Sequence, residues 1–151
     1  WGTNDNGDGI NNNKSSFFGA YVRYVKNVAQ FTCPEPSRDL YTTADSSIGN
    51  KALTYPVGLI TYDELVFAGM DNRHINKLSW AYSTQHYWTM SPSSFDAAWG
   101  YAPEWTLYSA GSLNPWLGVD NSLGARPVIN LKSDTLITGG IGTGSDPFVV
   151  G

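Results

Sequence analysis

The side chains that could do chemistry are few and scattered. Asp96 and Glu104 lie eight positions apart across a loop that contains Gly100 and Pro103. A glycosidase needs two carboxylates held at a set separation across the scissile bond, and nothing in this loop imposes one. Asp63 and Glu64 are adjacent, and a helix start accounts for both. His74 and His86 are 12 residues apart, which is no metal-ligand spacing. Cys33 is the only cysteine, so no internal disulfide can form. It reads as a small buried hydrophobe, or, in an exported chain, as a thiol that pairs outside this sequence. The opening WGTNDNGDGINNNK offers oxygen ligands. With Gly9 at the turn position of an EF-hand-type loop, Asn4, Asn6 and Asp8 fall at ligand positions, but the closing bidentate acid is replaced by Ser15. A solvated turn or flexible arm fits better. The expectation is therefore no catalytic residue, no enzyme, no metal site and no cofactor, with calcium disfavoured.

What remains is surface chemistry. Four of the six tryptophans fall in one stretch, YWTMSPSSFDAAWGYAPEWTLYSAGSLNPWLGVDNSLGARPVINL, residues 87–131. Trp and Tyr supply large, rigid contact area, and Ser, Gly and Asn supply adaptable hydrogen bonds. Aromatic faces also stack on sugar rings, so both proteins and glycans are eligible ligands. The same residue types also build cores, and about half of the aromatics are expected to be buried.

The rest of the chain must position that stretch. Its 151 residues suit a single domain, 1–151, with a real core; residues 1–14 read as an arm or linker from an upstream segment. Aromatic residues make up 14% and charged residues only 15%, with 16 glycines; this composition points to a loop-rich, β-containing extracellular domain. The net charge of −4 comes with no basic cluster, which argues against a nucleic-acid partner. No apolar run approaches the ~18–20 residues of a membrane span, so no membrane contact is expected of this domain. No signal peptide is visible, and the chain opens on Trp1, which suggests a processed product or excised domain.

Local signals are clearest in YPVGLITYDELVFAGM, residues 55–70. Val57 to Ile60 reads as a short strand. Thr61 and Glu64 form a capping box, Ile60 and Leu65 a hydrophobic staple, and Gly69 a C-terminal stop, so a helix is expected from about Tyr62 to Ala68. Phe17, Tyr21, Tyr24, Val25 and Val28 recur at helical spacing, although Gly19 and the valines also allow a strand opening. Residues 71–86 read as a polar connection anchored by Ile75, Leu78 and Trp80. Tyr87–Met90, Trp105–Leu113 and Ala125–Leu131 read as scaffold strands, with Trp105 and Leu107 on one face and Thr106 and Tyr108 on the other. Pro127 marks an edge or a break. Ser91–Glu104 and Asn114–Gly124 read as loops where recognition should sit. The tail reads as strand, Gly-rich turn and strand.

Together YW-T-MSPSSF, WTLYSAGSL and GARPVINL resemble the C-terminal half of bacterial C-type-lectin-like domains, including receptor proteins diversified by retroelements. YPVGLITYDELVFAG is similar to the strand–helix unit of formylglycine-generating-enzyme-like domains. The combined pattern also resembles uncharacterised gut Firmicutes surface domains with a GLIT-x-DE-x-xFAG helix and a RPVINLKSD strand. The resemblance covers roughly residues 55–150. It implies an α+β fold: a small twisted antiparallel sheet, one or two helices and long irregular loops. It also implies a ligand surface at Tyr87, Trp99, Tyr101, Trp105, Tyr108, Asn114, Trp116, Asp120 and Asn121, with Arg126 as a structural anchor for a carboxylate or loop carbonyls. Sugar-binding relatives hold calcium with a Glu-Pro-Asn or Gln-Pro-Asp motif, absent here; Val119-Asp120-Asn121 only distantly echoes their second motif. The formylglycine-generating enzymes need two cysteines, and this chain has one. The expected function is adhesion or recognition at the cell surface, of a host or bacterial surface protein or glycan, with attachment to an upstream anchor or pilin segment. The alternative is a structural subunit of a surface filament or pilus without a separate ligand.

Overall fold

The computed structural model describes residues 16–33, 36–42, 47–55, 57–143 and 145–151. The calcium-type loop and arm considered at 1–14 lie outside these described residues. In chain order the elements are β1 (Ser16–Phe17), α1 (Gly19–Lys26), α2 (Pro36–Asp39), β2 (Val57–Leu59), α3 (Tyr62–Phe67), β3 (Tyr87–Pro92), β4 (Ser94–Phe95), β5 (Pro103–Leu107), β6 (Leu113–Gly118), β7 (Pro127–Ile129), β8 (Ile137–Gly139) and β9 (Val149–Val150). The class is α+β. An antiparallel sheet of order β3-β5-β6 is accompanied by three two-stranded antiparallel pairs, β1-β4, β2-β7 and β8-β9.

Helix α3 forms where its local chemistry dictates. The Thr61 hydroxyl accepts from the Glu64 amide (3.1 Å), and a Glu64 carboxylate oxygen accepts from the Thr61 amide (2.8 Å). This closes the capping box. At the other end the Gly69 amide donates to Val66 O and the Met70 amide to Leu65 O, both at 2.9 Å. Gly69 takes φ +82° to do so, the left-handed stop of a Schellman motif. Ile60, Leu65 and Met70 all enter the core, so both ends of the helix are pinned by apolar burial as well as hydrogen bonds.

Strand β5 is the axis of the core. It is paired on both sides, and Trp105, Thr106 and Leu107 have no exposed surface at all. Trp105 and Leu107 lie on one face and Thr106 on the other, and because a central strand is covered on both faces, consecutive residues are buried. Trp105 meets Tyr62 of α3 (ring centroids 4.3 Å apart) and Tyr24 of α1 (5.3 Å). One ring thus joins sheet and helices.

Two expectations are corrected. Ile75, Leu78 and Trp80 are exposed, Leu78 by 97%, and do not anchor residues 71–86. Asn76 and Ser79 do so through hydrogen bonds: Asn76 Nδ2 donates to Gly69 O (2.9 Å), the Asn76 amide to Gly111 O (2.8 Å) and Ser79 Oγ to Ala68 O (2.8 Å). Residues 114–118 are strand β6 rather than loop. Pro115 lacks a donor but sits on an edge strand, where none is needed. Strand β7 also lies at an edge, pairing among the described residues only with β2, in keeping with Pro127.

Candidate functional site

An unbroken run of rings leads from the core to the surface. Trp105 contacts Tyr24, Tyr24 contacts Tyr21 (5.7 Å), and Tyr21 contacts both Phe17 (4.5 Å, stacked) and Trp116 (5.4 Å, edge-on). Helix α1 supplies Tyr21 and Tyr24 one turn apart, β1 supplies Phe17, and β6 supplies Trp116. The β5–β6 register shifts between Glu104 and Thr106, where Leu117 and Asn114 are the partners. Strand β6 carries one more residue there than β5, a bulge. Asn114 Oδ1 accepts the Trp116 amide (2.7 Å) across it. The result is a tryptophan 51% exposed on an otherwise ordered strand.

Tyr101 extends this surface. Its hydroxyl donates to Trp116 O, and its ring lies against Gly118, where a Cβ would come within 2.4 Å of Cε2. Asp120 Oδ1 presses on the same point at 2.5 Å. Only glycine at 118 lets ring and carboxylate flank the strand so closely. Trp99, 85% exposed, occupies the turn closed by the mutual backbone bonds of Asp96 and Tyr101 (2.7 and 3.1 Å). Asp96 Oδ1 holds that turn by accepting from the amides of Ala98 (3.0 Å) and Trp99 (3.3 Å). Asn121 Nδ2 donates to Gly118 O (2.9 Å) and to Asp120 Oδ1 (3.3 Å). Burial, with a smaller contribution from Tyr24, raises the Tyr21 hydroxyl above its ordinary value, so it stays neutral and available for hydrogen bonding.

Of the nine candidate ligand residues, the structure gathers Tyr101, Trp116, Asp120 and Asn121 around β6, with Trp99 on the adjoining turn. Phe17 and Tyr21 join them, and sequence reading missed both; their helical spacing was visible, but not which face they would share. Three candidates are corrected. Tyr87 and Trp105 are core side chains and present no ring to a ligand, because both face the helices and loops that close the sheet. Tyr108 packs on His86 (4.5 Å) rather than joining the run. Arg126 holds loop carbonyls, donating to Ala81 O (2.7 Å) and Trp80 O (3.2 Å) with its guanidinium over the Trp80 and Tyr87 rings.

Glu104, beside this surface on β5, is pushed up to about 7 by burial. Below the ordinary value of 4.5 it is protonated whether folded or unfolded and adds no pH dependence. Between 4.5 and about 7 the folded chain binds the extra proton, so stability falls as pH rises, and above that window the penalty is complete. Glu104→Gln is expected to leave stability unchanged at about pH 4 and to raise it by about 1–2 kcal/mol at about pH 8, the share left for a half-buried group after screening. Urea denaturation at the two pH values measures it. Equal effects at both would contradict the assignment.

Among the described residues no group of three or more His, Cys, Asp or Glu side chains is placed to hold a metal ion, and no helix is long and apolar enough to cross a membrane. The chain matches no family model, and no curated protein or solved structure is significantly similar to it.

Proposed function

We propose that this chain is an extracellular recognition domain that binds a surface protein or glycan through the aromatic run Phe17–Tyr21–Trp116–Tyr101 and the neighbouring Trp99. The observation that carries the reading is the ring-to-ring contact of Phe17, Tyr21 and Trp116, to which Tyr101 is tied by its hydrogen bond to Trp116 O. Phe17 and Trp116 rest on the partly buried Tyr21, which leans through Tyr24 on the buried Trp105, so a ligand meets preformed apolar area there and little conformational entropy is lost on binding. Asp120 and Asn121 at its border offer polar atoms to a ligand's hydroxyl or amide groups. The α+β class and the order of the sequence motifs support the C-type-lectin-like form of this proposal, in which loops and an exposed sheet edge recognise ligand without catalysis or calcium. Screening the domain on a glycan array and against a library of surface proteins should return a saturable ligand. Trp99→Ala should weaken it by about tenfold or more without altering the melting curve; undiminished affinity would remove Trp99 from the surface.

A second reading has its own support. The β8-β9 hairpin exposes Leu136, Ile137, Phe148, Val149 and Val150, and apolar residues on a free two-stranded edge favour self-association. If the domain is a filament subunit, concentrated wild-type protein sediments as polymers and the screens return no ligand.

A further inference from the structure

Apart from the aromatic run, two adjoining hollows lie between α3, the β2-β7 pair, residues 30–33 and residues 40–41. They share Phe31, Tyr41, Thr61, Glu64, Met90 and Asn130. The smaller, about 280 Å³, has a mixed polar and apolar lining and reaches Arg23, Asp63 and Gln30. The larger, about 440 Å³, is apolar and is walled by Leu59, Ile60, Phe67, Val128 and Ile129. The Phe31 ring stacks on Phe67 at 4.1 Å and forms its lip. None of these residues belongs to the aromatic run.

Three features restrict what fits. Tyr41 lines both hollows, and its Oη is buried with no hydrogen-bond partner among the described residues. A buried hydroxyl left unpaired is costly, and a ligand polar group at the junction would satisfy it. Among the described residues the charged ones lining the hollows are Arg23, Asp63 and Glu64. Arg23 and Asp63 neutralise each other as a buried ion pair, so the uncompensated charge is that of Glu64. Glu64 uses only Oε2 in the helix cap, which leaves Oε1 to accept another donor.

We propose that this cleft binds a small amphipathic amine. The apolar body fills the larger hollow, and the ammonium sits at the junction, donating to Glu64 Oε1 and Tyr41 Oη. The charge of the walls selects against a carboxylate head, and the apolar chamber selects against a polar body. This site is independent of the proposed recognition surface, and either can fail without the other.

The test uses three probes that share one chain, decylamine, decanol and decanoate, each below its micelle-forming concentration. Binding is followed by methyl NMR shifts of Leu59, Val128 and Ile129. The expected order of affinity is decylamine, then decanol, then decanoate. Glu64→Gln keeps an oxygen for the cap and removes the charge; it should weaken decylamine by about tenfold and leave decanol unchanged. Should that variant not fold, Tyr41→Phe serves, with decylamine and decanol both weakened by several-fold. Ile129→Trp, at an exposed position, should block all three probes. Decanoate binding as tightly as decylamine would overturn the proposal, as would shifts centred on Trp116 and Tyr101. So would concentration-dependent dimerisation that moves the same methyls, which would assign the cleft to a second copy of the chain.

Discussion

Trp105→Ala is expected to cost about 3–5 kcal/mol, the range for truncating a large buried aromatic. Total stability of a domain this size is on the order of 5–15 kcal/mol, so the variant should be largely unfolded at modest denaturant. The reason is position as much as size. Trp105 has 0% exposure and touches Tyr24 of α1 and Tyr62 of α3, so its loss opens a cavity where sheet and both helices meet. Its Nε1 is buried without a hydrogen-bond partner among the described residues. Trp105→Phe therefore forfeits volume and no hydrogen bond, and should cost only about 1–2 kcal/mol. Urea midpoints measure both. A cost for Trp105→Ala below about 1 kcal/mol, typical of a surface change, would move the residue out of the core.

The second large effect concerns Arg23 and Asp63. Arg23 Nε donates to one Asp63 carboxylate oxygen at 2.7 Å and Nη2 to the other, and the Gln30 amide donates to the first at 3.1 Å. The Asp63 side chain is only 6% exposed. Arg23→Ala strands a buried carboxylate and should cost about 3–5 kcal/mol, while replacing both partners by apolar residues of similar volume, Arg23→Met with Asp63→Leu, should recover most of that loss. The pair joins α1 to α3, so it also fixes the helix that presents Tyr21. If the double variant is as unstable as the single one, the ion pair is a net stabiliser and not mainly a charge kept satisfied.

What sequence made legible was local. The α3 capping box and its Gly69 stop each depend on side chains or a glycine within a few residues of the backbone they organise. Tertiary choices were not legible. Tyr21 and Trp116 meet across most of the chain, and Arg23 and Asp63 are separated by 40 positions; no periodicity reports either encounter. Trp105 illustrates a harder ambiguity. Tryptophan suits a ligand face and a core equally, and only its alternation with Leu107 on β5 hinted at burial. In sequence Asp63 is a dipole-favoured residue of the first helical turn. That explains its place in the helix but not its partner. Asn114 and Pro115 resembled loop chemistry because an edge strand with a bulge tolerates both. The apolar Ile75, Leu78 and Trp80 misled in the other direction, since Asn76 and Ser79 secure that segment by hydrogen bonds that hydropathy does not register.

The proposed recognition surface is tested most directly by comparing two exposed aromatics. Trp116 lies in the run of rings, and Tyr55, 79% exposed, lies outside it. With a ligand taken from the array or the protein screen, the dissociation constants of Trp116→Ala and Tyr55→Ala are measured against wild type by calorimetry. The expected result is a loss of about thirtyfold or more for Trp116→Ala, as for a central aromatic hot spot, and no change for Tyr55→Ala. Full affinity in a folded Trp116→Ala protein would contradict the account.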